Sequence, residues 1–379
     1  MGRSALKPVA LDKARARRLW LRAQRLDEPA PFGAGAAATP AAIAHLGYVQ
    51  IDTIHVVERC HHQILYTRIP DYRRAHLHQA QSVDKTVFEY WTHALSYVPT
   101  QDYRFFVAAM RAEARARNAW FGSVRTADTR KVLKRLRTQG PLTIRDIDDD
   151  VLTEKQHEWG SRKPSKRALQ LLFYQGVVTV SRRSGMLKTY DLAARHFSWA
   201  KAPKAASERE TLDYVLDRAL RAQGVVSVRS ACHLDPRKKA MEKVIAARAR
   251  RGELVPLTIE GIAHWARPET LEWTLGNPAP LVHILSPFDP LVIQRRRLEL
   301  FFGYAHLFEA YLPQEKRRYG YFTHPVLVGD EIVAVLDLKT DREKQKLLIQ
   351  RWTWIARRGH KQRIEEALER FERFQLARE

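Results

Sequence analysis

The stretch KPSKRALQLLFYQGVVTVSRRSGMLKTYDL, residues 163–192, decides how this chain folds. Leu169, Leu172 and Phe173 recur at helical spacing, and Ser165 stands where a cap would open the helix. Gly176 stops it. Val177 to Val180 and Leu187 to Leu192 then read as two short strands joined by a turn at Ser184-Gly185. Upstream, Val132, Leu133 and Leu136 mark a helix ended by Gly140, and Thr143 stands where a short second helix would be capped.

The same order recurs downstream. Leu212, Val215, Leu216 and Leu220 form one helix face, stopped by Gly224. Asp235-Pro236 is a start signal for a helix through Val244 and Ile245, closed by Gly252, and two strands flank a Glu260-Gly261 turn. Helices followed by a hairpin are the order of a winged helix, whose third helix usually enters a DNA groove. Nearer the N-terminus, Leu19, Ala23 and Leu26 mark a helix with a basic outer face, and residues 27–38 read as a Pro, Gly and Ala-rich loop. Thr39 then caps a short helix with Pro40 at its first position, and Gly47 ends it. A strand at 48–54 and a mixed helical region to about Trp120 follow, the part from Tyr103 to Asn118 reading as a solvated connecting helix. Beyond the repeats, Val326–Val328, Ile332–Leu338 and Lys346–Trp354 predict a meander, closed by a helix with Ile364, Leu368 and Phe371 on one face. The expectation is a mixed α+β, mainly helical chain. Three tandem winged helix-turn-helix domains occupy 1–120, 121–203 and 204–275, and a C-terminal β domain occupies 276–379.

Charge narrows the function. The 379 residues hold 65 Lys+Arg against 42 Asp+Glu, a formal +23, which concentrates polyanions at the surface. With 9 Trp, 13 Tyr and 14 Phe and a hydrophobic content of 45%, this is a folded nucleic-acid binder rather than a disordered basic tail. Cys60 and Cys232 form no disulfide framework, which fits a reducing compartment. No secretory signal and no apolar run of the ~20 residues a membrane span needs can be read, so a cytoplasmic, nucleoid-associated protein without membrane contact is expected. Three basic clusters are candidate DNA contacts: Lys163, Lys166 and Arg167; Arg182 and Arg183; and Arg295, Arg296 and Arg297. His55, Cys60, His61, His62, His76 and His78 lack the paired spacing of a zinc site, and Asp148, Asp149 and Asp150 lack that of a calcium loop, so no metal is expected. The absence of a phosphate-cradling glycine loop and of a nucleotide fingerprint leaves no cofactor to expect.

The run Tyr48-Val49-Gln50-Ile51-Asp52-Thr53-Ile54 places an amide and an acid in an apolar strand. Strand alternation puts Gln50 and Asp52 on one face. A buried acid needs a reason. Either Asp52 activates water beside a positioning amide, or it caps a turn or meets an arginine.

Taken with Leu19–Leu26, Phe88-Glu89-Tyr90-Trp91-Thr92-His93-Ala94, Gly140-Pro141-Leu142-Thr143, Leu285-Ser286-Pro287-Phe288-Asp289-Pro290 and Lys316-Arg317-Arg318-Tyr319-Gly320-Tyr321, this run gives a resemblance over nearly the whole chain. The chain resembles the bacterial winged-helix DNA glycosylases of the YcaQ/AlkX type, related to AlkZ. The family carries a Gln-apolar-Gln or Gln-apolar-Asp motif, and Gln50-Ile51-Asp52 matches the second form. The resemblance implies a monofunctional, cofactor-free enzyme that excises N7-alkylated purines from double-stranded DNA and unhooks interstrand crosslinks. Gln50 and Asp52 are then catalytic, and Glu89, Trp91 and His93 are candidates for the same cleft, with a hydrogen-bonded structural role the alternative for Glu89 and His93. A monomer is expected. The rival reading is a winged-helix transcription regulator without catalysis, and an RNA-binding or structural protein would account for the charge alone.

Overall fold

The computed structural model describes residues 7–115, 121–147, 152, 161–276, 278–356 and 359–377. The chain forms two compact units, each discontinuous in sequence: Met1–His76, Thr92–Ser96 and Leu212–Glu379 make one, and Leu77–Trp91 with Tyr97–Thr211 the other.

In the first unit, Asp12 opens the helix Lys13–Ala23 by accepting a hydrogen bond from the Arg15 amide at 2.9 Å. Leu19 and Trp20 turn inward, and the Trp20 ring lies 5.6 Å from Phe301. The helix Glu208–Gln223 buries Leu212, Val215, Leu216 and Leu220 and stops at Gly224, which adopts φ 66. A Cβ there would sit 3.2 Å from the Leu19 carbonyl oxygen, so glycine also lets the two segments approach. The helix Lys238–Arg250 buries Met241, Val244 and Ile245. The predicted hairpin is present as Val255–Ile259 and Ile262–Ala266, and two short strands extend it: Val225–Val226 antiparallel on one side and Val9–Ala10 parallel on the other. The C-terminal meander runs antiparallel through Thr323–Val328, Glu331–Asp341 and Lys346–Trp354, with Val282–Ile284 added at the edge. The helix Lys361–Leu376 seats Ile364, Leu368 and Phe371 in the core that this sheet builds with Val326 and Leu336.

A fully buried ion pair ties this unit together. Arg68 and Asp289 are each 0% exposed, and the guanidinium meets both carboxylate oxygens at 2.7 and 3.0 Å. The same guanidinium donates to the Gln24 backbone oxygen at 2.9 Å and to its side-chain oxygen at 3.0 Å. Residues separated by more than 200 positions are thereby held at fixed geometry.

In the second unit, the helix Thr126–Gln139 buries Val132 and Leu136 and ends at Gly140. The helix Pro164–Tyr174 follows, then the hairpin Val178–Ser184 and Leu187–Leu192, whose second strand pairs with Leu142–Thr143. Five local expectations are corrected. Ser165 lies inside its helix, after a Lys163 cap position and Pro164. Thr143 belongs to a strand, its backbone N–H and hydroxyl both donating to Asp146. Thr39 sits buried within Ala38–Leu46 rather than capping it, although Gly47 ends that helix at φ 80 as predicted. The segment from Tyr103 carries the helix Val107–Arg115, which buries Val107 and Met110 and so is not fully solvated. Strands at Val87–Trp91 and Leu95–Pro99 interrupt the region read as mixed helical. Asp148, Asp149 and Asp150 lie outside the described residues.

Replacing Arg68 with Met leaves Asp289 charged and unpaired in the interior, which should lower unfolding stability by about 3–5 kcal/mol. Urea unfolding at neutral pH measures this; a loss below about 1 kcal/mol would show that the pair is not an anchor.

Candidate active site

The strand that carries the Gln-x-Asp run is shorter than its apolar pattern predicts. It ends at Val49–Gln50. The Ile51 amide makes one more bond, to the Leu95 oxygen at 2.8 Å, and the chain then turns, because the Asp52 Oδ1 accepts from the Ile54 amide at 2.8 Å. Gln50 and Asp52 therefore do not share a strand face. The acid stands just past the strand end, on a turn that its own side chain stabilises.

Gln50 is buried, and its side-chain oxygen is 3.0 Å from His93 Nε2. Its backbone oxygen accepts from the buried Cys60 thiol at 3.1 Å. Burial, with His233 and Arg218 adding to it, pushes the His93 imidazole down to about 3, so the ring is neutral near pH 7. A neutral imidazole carries one N–H. Facing a carbonyl oxygen, that N–H is on Nε2 and donates to Gln50. The ring is held edge-on to Tyr48 at 5.1 Å and to His233 at 5.0 Å. Tyr48 is in turn capped by the Arg218 guanidinium at 5.4 Å. The amide of Gln50 is thus oriented by its oxygen, and its NH2 group has no protein partner among the described residues.

Asp52 is half-buried, and burial raises its carboxyl above the ordinary range against the lowering effect of the Ile54 and Thr53 amides. No cation pairs with it among the described residues. That observation excludes an arginine partner among the described residues and leaves the turn cap as the structural alternative to water activation.

His93 also lines a cavity of about 1440 Å³ that lies wholly within the first unit. His233, Ile262, Trp265 and Leu300 contribute to its walls, and Arg229, Lys238, Arg295 and Arg296 bring positive charge to it. Arg295 and Arg296 are exposed here, as a phosphate contact requires. Arg297 is not. Its guanidinium is buried 4.3 Å above the Trp20 ring, donates to the Val225 oxygen at 2.6 Å, and is pushed down to about 9 by burial. The expected DNA contact at Arg297 is corrected to a packing role.

The second unit separates its candidates in the same way. Lys166 and Arg182 are exposed and Lys163 is half-buried, whereas Arg167 is buried. Arg183 clamps the buried Glu89 carboxylate at 2.5 and 2.6 Å, and Gln81 donates to it at 3.0 Å. Burial raises the Glu89 carboxyl, but the Arg183 charge and these bonds outweigh it and hold the group low. Arg167 and Arg183 are therefore withdrawn as surface cations, and Glu89 is a structural counter-ion. Trp91 remains 46% exposed, its ring 6.1 Å from Tyr174. Sequence reading missed Arg229, Lys238 and His233; only the Asp235-Pro236 helix start hinted at the loop that carries His233 and leads into Lys238.

Residues 43–374 match the family described as DNA glycosylase AlkZ-like. The chain belongs to this family. The solved DNA glycosylase AlkZ of Streptomyces sahachiroi is similar in fold, with a TM-score of 0.61 and 15% sequence identity over 97% of this chain and 97% of that one. As an AlkZ-like glycosylase the protein acts on DNA, which decides between an enzyme and a transcription regulator.

His93→Ala should release the Gln50 amide and slow base excision about ten-fold, roughly the worth of one hydrogen bond to a positioned group. The rate constant should fall while the dissociation constant for DNA stays put. An unchanged rate in a folded variant would show that Gln50 does not depend on His93.

Proposed function

We propose that this glycosylase hydrolyses the N-glycosidic bond of N7-alkylated purines in duplex DNA, with Asp52 activating water and Gln50 orienting it. The observation that carries this reading is the Asp52 carboxylate, half-buried without a cationic partner among the described residues, in a chain with 65 Lys+Arg. The backbone amides of Ile54 and Thr53 hold the carboxylate at the turn without neutralising its charge.

Alkylation at N7 makes a purine cationic and a good leaving group. Departure of the base leaves an oxocarbenium-like sugar, as in other glycoside hydrolyses. A carboxylate facing that sugar stabilises the charge and accepts a proton from the attacking water. The Gln50 NH2 supplies a donor of fixed direction to the water or the sugar. Because the leaving group is already charged, this route calls for no metal or cofactor. An N7-linked crosslink presents the same charged base on each strand, so unhooking needs no different chemistry.

In the same reading, Arg229, Lys238, Arg295 and Arg296 take phosphates beside the cavity, and Lys163, Lys166 and Arg182 take phosphates along the helix Pro164–Tyr174 and its hairpin. Three winged helices at 1–120, 121–203 and 204–275 before the domain at 276–379 remain the preferred organisation. Support comes from the helix, strand, helix and hairpin order among the described residues of Thr126–Leu192, and from the helix, strand, two helices and hairpin of Glu208–Ala266.

Asp52→Asn tests the chemistry, since it keeps size and the bond to Ile54 but removes the basic oxygen. Release of N7-methylguanine from duplex DNA should fall ~10²–10⁴-fold with DNA affinity unchanged. Because folding raises the Asp52 pKa, the ionised group costs stability at neutral pH, and the Asn protein should melt no lower than the parent. Full excision by a folded Asp52→Asn protein would refute the mechanism.

A further inference from the structure

Leu234 combines three properties that rarely coincide. It adopts φ 58, a left-handed conformation that a bulky side chain disfavours. It is 75% exposed. It also lines the basic cavity that His93 lines. A single exposed leucine is ordinary, and a strained one on an idle loop is not, because a glycine or asparagine would relieve the strain at no cost in packing.

The surrounding loop holds the strain in place. The Asp235 amide donates to the Cys232 oxygen at 2.8 Å, closing a turn across Leu234. The Asp235 carboxylate is clamped by the Arg237 amide at 2.9 Å and its guanidinium at 2.6 Å. Cys232 is buried on the other side. Between these fixed points the leucine side chain is directed outward. His233, its neighbour, packs 5.0 Å from His93, which orients Gln50. Arg229 and Lys238, both exposed, line the cavity from the two helices that the loop joins.

A rigid apolar tip between cations suits a stacked duplex. The cations hold the backbone, and the apolar side chain enters a base step, partly unstacking it and bending the helix. We propose that Leu234 is a base-stack wedge that opens the duplex next to the damaged nucleotide and so exposes its sugar to Gln50 and Asp52. This inference rests on the reading of the cavity as the DNA site.

The test uses the full-length protein and a duplex with one N7-methylguanine beside a 2-aminopurine, whose fluorescence rises on unstacking. Excision is followed in single turnovers for the parent, Leu234→Ala and Leu234→Phe, after melting curves establish that each is folded. The parent should raise the fluorescence on binding. Leu234→Ala should lose most of that rise and excise about ten-fold more slowly, whereas Leu234→Phe should keep both. On the same lesion placed opposite a mismatch, where the stack is already weakened, Leu234→Ala should lose much less. An active parent matched by Leu234→Ala in fluorescence and rate overturns the wedge alone, as does equal slowing on paired and mismatched DNA. A parent that neither excises nor raises the fluorescence overturns the underlying reading as well.

Discussion

The bidentate pair between Arg68 and Asp289 is the constraint on which the first unit depends. Both groups are fully buried, and neither is tolerable there without the other. The pair joins the turn after the helix Cys60–Tyr66 to the Ser286–Asp289 turn of the C-terminal part, and through Gln24 it fixes the end of the first helix. The helix Cys60–Tyr66 in turn starts at Cys60, whose thiol donates to the Gln50 backbone oxygen. The backbone position of Gln50 is therefore tied to contacts that begin more than 200 residues away. Replacing such a pair by apolar residues is often neutral for stability, whereas the charged fork specifies one geometry.

Buried polar groups of the first unit are mostly satisfied by specific partners. His93 spends its single N–H on Gln50, and Glu309 spends its carboxylate on the amides of Arg318, Tyr319 and Gly320. Gly320 itself is required, because a Cβ there would meet the Asp337 carboxylate at 2.2 Å. Asp52 departs from this rule. Its carboxylate is half-buried and met by backbone amides but by no cation among the described residues, an arrangement that folding disfavours and that proton abstraction uses.

Local pattern made much of the fold legible. Leu169, Leu172 and Phe173 lie where their spacing places them, the hairpins at Gly185 and Gly261 turn at their glycines, and the terminal helix buries Ile364, Leu368 and Phe371. What failed was long-range or side-chain-determined. The apolar pattern of Tyr48–Ile54 reads as one strand, yet the Asp52 side chain captures the Ile54 amide and ends it. The two-residue strands Val9–Ala10 and Val225–Val226 are too short to show a period and form only because the hairpin Val255–Ala266 offers edges. Arg183 and Arg297 looked like surface cations because Glu89 and Trp20, which bury them, lie 94 and 277 positions away. Gln50 was legible as a motif; its dependence on His93 and the basic cavity beyond it were not, since the residues come from separate segments.

The central claim is that an ionised Asp52 accepts the proton of the attacking water, and the pH dependence of single-turnover base release tests it most directly. Burial raises the Asp52 carboxyl, so the charged form is lost as pH falls through a value above the ordinary carboxylate range. The rate should decline along that limb in the parent protein. In Asp52→Asn the residual rate should lack it. An acid limb of the same midpoint in both proteins would contradict the claim and assign the titrating group elsewhere.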